Sequence, residues 1–268
     1  MAKIVHWYFQ CIRSCQLEMA AARKPFNPVL GENFKCLWHV RSDATFRLLV
    51  KQVSHNPPVS AFHLECPGKV TVYGHLSVKA KLMGMYVGTT LSGDFVVELE
   101  PLKETYQLGY PSLYVRSILS EPWMEFGGKL LLTCVESKAT CAVVFQTKPF
   151  YGGKPHHVTA EIKSSSGSVV CKISCDWNSQ LELHWTSGQT VTIDLTSGHW
   201  LPKKVRPIKW QNEKESLKLW YQVAQSLAQG DFHTAAEHKK NVRLLLRKRR
   251  IFFGGLLIST SCMFIILD

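Results

Sequence analysis

Apolar and polar positions divide the chain into three regimes. Ile4, Val5, Tyr8, Phe9, Ile12 and Met19 recur at the spacing of one helical face. Ala20–Ala22 prolong that helix, and Pro25 and Pro28 end it. From Phe34 to about Leu195 the period shortens. Runs rich in β-branched and aromatic residues predict strands over Lys69–Val78, Thr89–Glu98, Lys129–Glu136, Ala142–Thr147, His157–Lys163, Val169–Trp177, Leu181–Thr186 and Thr190–Leu195. Turn signals separate them, among them Ser92-Gly93-Asp94, Gly127-Gly128, Gly152-Gly153, Ser164–Ser168 and Ser187-Gly188. Strands this short and evenly spaced predict an antiparallel meander closing into a barrel or sandwich.

The third regime begins after Pro202 and Pro207. Glu213–Ala228 places Leu217, Trp220, Tyr221, Ala224, Leu227 and Ala228 on one helical stripe, with Gly230 as a stop. Asp231 is placed to cap a second helix running through Arg250. Residues 251–268 are then apolar. Seventeen of them, Ile251–Leu267, carry no charge and follow Arg247-Lys248-Arg249-Arg250. As a helix they would reach about 25 Å, slightly short of a ~30 Å hydrocarbon core. Three readings stay open for this tail: a membrane anchor with the domain on the cytoplasmic side, an altered C-terminus, or a core-packed segment.

Charge sharpens this picture. The chain of 268 residues carries 32 Lys and Arg against 20 Asp and Glu, a formal charge of +12. Thirteen basic and four acidic residues lie between Lys203 and Arg250, so that segment holds +9 of the total. Such asymmetry points to an anionic partner, nucleic acid or a lipid surface. Hydrophobic residues at 46% and charged residues at 19% exclude disorder. Nine cysteines without a Cys-x-x-Cys pair or a secretory signal predict reduced thiols packed as small apolar groups rather than a zinc site.

Two strings stand out. In Lys51-Gln52-Val53-Ser54-His55-Asn56-Pro57-Pro58 the double proline forbids helix and predicts an extended turn that holds Ser54, His55 and Asn56 rigidly. A histidine so placed is ordinarily structural, though a rigid row of donors also suits an anion. In Lys24-Pro25-Phe26-Asn27-Pro28-Val29-Leu30-Gly31-Glu32 the prolines and glycine fix the backbone around one lysine, which reads plainly as a helix-to-sheet connector.

Together these strings resemble the ligand-binding domain of the oxysterol-binding protein family. The signature Glu-Gln-Val-Ser-His-His-Pro-Pro is matched at six of eight positions, with departures at Lys51 and Asn56. The family's Lys-Pro-x-Asn-Pro-x-x-Gly-Glu string is matched from Lys24 to Glu32, including Asn27. Thr147–Lys154 with Thr159-Ala160-Glu161, Arg116–Leu119, Lys203–Pro207 and Ala236–Lys239 are similar to the branch of related proteins nine, ten and eleven. The resemblance covers about Ile4 to Lys240.

It implies a mainly β fold with flanking helices: an incomplete antiparallel β-barrel around a lipid tunnel, spanning residues 1–250. The implied cargo is phosphatidylinositol 4-phosphate and a sterol or phosphatidylserine, carried between anionic membranes without a cofactor. The implied headgroup contacts are Lys24, His55, Asn56, Lys239 and Arg247, with Gln52, Val53, Ser54, Pro57, Pro58, Asn27 and Glu32 in support. Asn56 stands where the family has a second histidine, and Arg243 where it has a glutamate. A neutral donor in place of a charged one should weaken headgroup affinity by about 1 kcal/mol. The family's lid would precede Met1 and its C-terminal subdomain would follow Lys240, so truncation at both ends is expected. The implied location is cytosolic and peripheral on membranes, at contacts of endoplasmic reticulum, Golgi or endosome; anchoring through the tail stays one of its three open readings.

Other classes fit less well. Neither a Gly-x-Ser-x-Gly elbow nor His-Glu-x-x-His occurs, so pairing Ser54 with His55, or His156 and His157 with Glu161, makes a weak case for an enzyme. The pair His156-His157 reads as a solvated strand start. The basic segment lacks aromatics interleaved with charge, which argues against nucleic acid.

Overall fold

The computed structural model describes residues 1–21, 27–40, 44–84, 86–117, 123–148, 152–153, 155–197 and 201–248, of which 16–21 and 243–248 are described by their backbone alone. The chain opens with helix α1 (Ala2–Ala21) and closes with α2 (Ser216–Leu219), α3 (Tyr221–Ala228) and α4 (Phe232–Lys248). Between them run β1 (Asn33–Val40), β2 (Ala44–His55), β3 (Pro58–Cys66), β4 (Val70–Leu82), β5 (Val87–Ser92), β6 (Asp94–Leu99) and β7 (Glu104–Gly109). They continue as β8 (Ser112–Arg116), β9 (Trp123–Cys134), β10 (Thr140–Phe145), β11 (His157–Lys163), β12 (Val169–Asp176), β13 (Gln180–Trp185) and β14 (Thr190–Asp194).

All belong to one antiparallel sheet in the order β1-β2-β3-β4-β5-β8-β9-β10-β11-β12-β13-β14, with β6 and β7 forming a second path from β4 to β9. The sheet is therefore ring-like in its middle. Its outer strands β1 and β14 do not pair with each other among the described residues. The expected mainly β fold with flanking helices is what the chain adopts.

Strict alternation explains the second half of the sheet. Val143, Ala160, Ile173 and Leu183 are cross-strand partners in turn, and all four are buried. A parallel row, Cys141, Ile162 and Cys171, uses thiols as small apolar fillers. Burial pushes the Cys141 thiol up to about 12, so it stays protonated and unreactive.

The run Thr89–Glu98, expected as one strand, is two. Strand β4 pairs with β6 over Val70–Gly74 and with β5 over Ser77–Leu82, so the chain must break between them at Gly93. Gly93 has φ 121°, and a Cβ there would lie 2.3 Å from the carbonyl oxygen of His75. A Cβ on Gly74 would meet Asp94 and Phe95 at 2.5 Å. The two glycines let the two paths diverge.

Helix α1 is buried on more than the one predicted face. Ile4, Val5, Trp7, Tyr8, Phe9, Cys11 and Ile12 are all in the core, and Gln10 and Ser14 are buried with them. Such all-round burial means the helix packs on the apolar face of the sheet rather than lying on its rim. Phe95 is the hub: Trp7 and Tyr8 meet it with ring centroids 6.4 Å away, Phe62 at 6.3 Å and Tyr110 at 5.3 Å. The hydroxyl of Tyr8 donates to the carbonyl of Gly109 at 2.9 Å, and Arg13 Nε donates to that of Asn178 at 3.0 Å. No described helix is long and apolar enough to cross a membrane. Residues 251–268, the expected tail, lie outside the described residues.

The stripe expected over Glu213–Ala228 is corrected as well. The helix breaks at Trp220, whose φ of −99° and ψ of 4° separate α2 from α3. Leu217 and Tyr221 are exposed, while Trp220, Val223 and Ser226 are buried. Tertiary contacts of the indole, described next, override the helical period. Gly230 ends α3 with φ 75°, and Asp231 caps α4 by accepting the Thr234 N–H at 3.0 Å, both as expected.

Candidate functional site

The proline-rich signature is the tip of the β2–β3 hairpin, not a free-standing turn. β2 and β3 pair from Arg47–Glu65 to His55–Pro58, with a register shift between Gln52 and Ser54. At the tip Ser54 Oγ donates to the Pro57 carbonyl at 2.6 Å, and the Asn56–Pro57 peptide is cis. His55, Asn56 and Pro57 are exposed, and Val53, Ser54 and Pro58 half-buried. Gln52 points the other way and is buried at 1% exposure. Its Oε1 accepts the Ser60 hydroxyl at 2.8 Å, while its Nε2 is buried without a partner among the described residues.

The second string folds against the first. The Gly31 N–H donates to the Gln52 carbonyl at 3.1 Å, and the Gln52 N–H to the Glu32 carbonyl at 3.0 Å. The Glu32 carboxylate, 2% exposed, accepts Trp220 Nε1–H at 3.0 and 3.1 Å and the Val29 N–H at 3.0 Å. Trp220 packs with Val223 and Ala235, and Val29 and Val242 close that cluster. Glu32 thus joins three distant parts of the chain: the loop after α1, the signature strand β2, and the α3–α4 pair that carries Lys239.

The expected site residues fall as follows. Asn27 is exposed in the loop, Glu32 is a buried anchor, and Lys239 is half-buried on α4. Arg243 and Arg247 lie on the backbone of α4. Their side chains, like the whole of Lys24, lie outside the described residues. Sequence reasoning missed Trp220 as the partner of Glu32. Nothing in a helical stripe distinguishes an indole that packs from one that donates.

It also missed the role of Arg116. The guanidinium pairs with Glu125, which is 1% exposed, and lies 5.4 Å from the centre of the Tyr86 ring. Glu125 also accepts the Lys148 N–H at 2.8 Å. Two of the motifs noted in the sequence, around Arg116 and Lys148, are therefore two ends of one buried anchor.

A stretch of the inner face is left partly open. Gln52, Ser60 and Leu76 form one cross-strand row, and Val78, Leu91 and Leu113 continue the same face onto β5 and β8. Leu76, Val78, Leu91 and Leu113 are only half-buried, unlike their counterparts on β10–β13. Apolar side chains and an amide donor without a partner among the described residues thus share one side of the ring.

His156 corrects an expectation. It is not a solvated strand start: its ring sits 4.4 Å from Trp177 and 6.4 Å from Trp123, and its φ is 64°. Its Nδ1 and the Nε2 of His6 are buried without partners among the described residues. Burial lowers the pKa of both rings, so folding holds them neutral while the unfolded chain protonates near pH 6.5. Their contribution is complete above that pH and is lost as pH falls below it. Asp194, Asp231 and Glu136 are lowered from 3.8 or 4.5 and act only in more acid solution. Thermal unfolding should therefore show a lower midpoint at pH 5.5 than at pH 7.5. The His6→Asn/His156→Asn variant should show a smaller difference; an equal difference would refute the assignment.

Comparison with known proteins shows what the chain is similar to. The family model for oxysterol-binding protein matches residues 1–243. Human oxysterol-binding protein-related protein 10 is 39% identical over 252 residues, which cover 83% of this chain and 33% of that one. Human oxysterol-binding protein-related protein 11 is 36% identical over 274 residues, covering 89% of this chain and 36% of that one. Human oxysterol-binding protein-related protein 9 is 35% identical over 260 residues, covering 89% and 35%. The chain therefore spans about a third of the length of these relatives.

Among solved structures, the Osh1 ORD domain in complex with cholesterol superposes with a TM-score of 0.66 at 20% identity, covering 88% of this chain and 64% of that one. The Osh3 ORD in complex with PI(4)P from Saccharomyces cerevisiae has a TM-score of 0.66 at 17% identity, covering 96% and 76%. At these identities the likeness is one of fold.

Proposed function

Because the chain belongs to the oxysterol-binding protein family, we propose that it binds one lipid at a time on the open inner face of its sheet and carries it between membranes. The cargoes are a sterol or phosphatidylserine in one direction and phosphatidylinositol 4-phosphate in the other. The headgroup of the phosphoinositide sits at the mouth, among Lys24, His55, Asn56, Lys239 and Arg247. No covalent step is required, and the exchange runs on comparable affinities for the two lipids. Residues 1–250 form the lipid-binding unit, and 251–268 are a tail that adds membrane affinity. The protein works from the cytosol, peripherally on anionic bilayers at organelle contacts.

The observation that carries this reading is the Glu32 anchor. It gathers the loop that follows Lys24, the strand that ends in His55 and the helix pair that bears Lys239. A phosphorylated inositol carries several negative charges and needs cations drawn from separate parts of a chain. The half-buried apolar row Leu76, Val78, Leu91 and Leu113 supplies the wall an acyl chain or sterol ring requires.

Asn56 favours a second reading, in which the protein holds lipid without moving it. Its amide can donate a hydrogen bond but carries no charge, and it lies exposed at the hairpin tip. One experiment addresses both readings. The full chain is mixed with donor vesicles holding phosphatidylinositol 4-phosphate and acceptor vesicles holding sterol, and extraction and exchange are followed separately. The Asn56→His variant should extract the phosphoinositide about fivefold better, equivalent to ~1 kcal/mol. Unchanged extraction would mean that position 56 does not face the phosphate, and extraction without exchange would favour the holding role.

A further inference from the structure

The opposite face of the sheet carries a cavity that the lipid reading does not use. It has a volume of about 350 Å³ and lies over β1, β2 and β3. Its floor is two adjacent cross-strand rows, Lys35–Leu49–His63 and Leu37–Arg47–Glu65. These alternate with Cys36, Leu48 and Leu64, which are buried on the inner side, so the rows point outward. One wall is the segment through Lys204 and Arg206, laid along the free edge of β1. Leu37 and Lys204 exchange backbone hydrogen bonds at 2.9 and 2.8 Å, which fixes that wall.

The charges here are unbalanced. Lys35, Arg47, Lys204 and Arg206 face one carboxylate, Glu65. Arg47 pairs with Glu65 at 3.6 Å, and Arg206 is held from behind by the buried Glu215. Its carbonyl also accepts Gln211 Nε2–H at 2.7 Å. After both pairs, Lys35 and Lys204 remain, with no ion pair among the described residues. Two surplus positive charges match a dianion, and a fixed guanidinium presents the paired donors that a phosphate oxygen plane accepts. Between the cations the floor is aliphatic: Leu37 is half-buried, and Leu49 is 39% exposed.

We propose that this outer cavity binds a phosphomonoester carried on an apolar body, with Lys35, Lys204 and Arg206 on the phosphate and Leu37 and Leu49 under the apolar part. The volume is at the small end for ligand pockets, which suits a head and a few carbons rather than a whole lipid. The site is distinct from the proposed mouth. His55 lies eight residues beyond Arg47 on β2, roughly 26 Å along an extended strand.

Hexyl phosphate is the probe, with inorganic phosphate and hexanol for comparison, titrated calorimetrically into the full chain. Hexyl phosphate should bind at least about tenfold more tightly than either part alone, since head and tail contribute together. The double substitution Lys35→Glu/Lys204→Glu should weaken it at least about tenfold; both side chains are exposed, so the variant should keep the circular dichroism spectrum of the parent chain. Leu49→Asp should weaken it similarly, and His55→Ala should not change it. No binding of hexyl phosphate, equal binding of hexanol, or indifference to the charge reversal would overturn the proposal. Vesicles of phosphatidylcholine with and without phosphatidate identify the source. Retention on phosphatidate that the double variant loses points to a membrane lipid, and hexyl phosphate binding without such retention points to a soluble ester.

Discussion

Trp220→Ala should lower the stability of the protein by about 3–5 kcal/mol, the range for emptying a large aromatic site. Three losses coincide there. The indole is 5% exposed and is the centre of the cluster with Val223 and Ala235. Its N–H is shared by both oxygens of Glu32 at 3.0 and 3.1 Å. Glu32 is 2% exposed, so removing that donor strips a partner from a buried carboxylate. Trp220→Phe separates these contributions, because it fills the volume and removes only the donor. Urea denaturation of Trp220→Ala, Glu32→Gln and the double variant measures the coupling. Strict additivity would show that the hydrogen bond contributes nothing to holding the three segments together.

Arg116→Ala should cost about 3 kcal/mol, the low end of the range for breaking a buried pair, because Glu125 is buried while Arg116 is 27% exposed. Glu125 is 1% exposed, and its other oxygen already accepts the Lys148 N–H, so it has nowhere to turn. The pair with Arg116 and the hydrogen bond to Lys148 tie β8, β9 and the segment after β10 into one unit. Restoring neutrality with Arg116→Met/Glu125→Gln should recover most of the loss, because the cost lies in the uncompensated charge. Chemical unfolding of the single and double variants checks this. A double variant no more stable than Arg116→Ala would locate the damage in packing.

How much of this was legible in the sequence depends on what each residue faces. β10 to β14 were readable because one face is buried and the other wet, so Cys141, Val143 and Phe145 alternate cleanly with solvent-facing neighbours. β1 to β3 were not, because charged residues such as Lys35, Arg47 and Lys51 interrupt the apolar run, and the double proline reads as a turn. Only the pairing shows that the turn joins two long strands. The β5–β6 break was signalled by Ser92-Gly93-Asp94, yet its meaning lies in two strands competing for β4. The signature residues were found through resemblance. The packing that gathers them was not, since Glu32 and Trp220 are 188 residues apart and neither alone announces a partner. The helical stripe failed for the same reason: Trp220 answers to Glu32 and not to its own period.

The way the free edge of β1 is closed has a consequence for how the chain is made. The amide of Asn33 waits for the carbonyl of Lys214, and the hydroxyl of Ser216 reaches back to the carbonyl of Asn33, a span of 183 residues. At ribosomal speeds of about 5–20 residues per second, β1 would stay uncovered for roughly ten to forty seconds after it emerges. An unpaired edge is a template for joining other chains, so nascent polypeptides on one message are exposed to each other throughout that interval. The dense cations on β1 and β2, Lys35, Arg47 and Lys51, would keep such neighbours apart until the closing segment arrives.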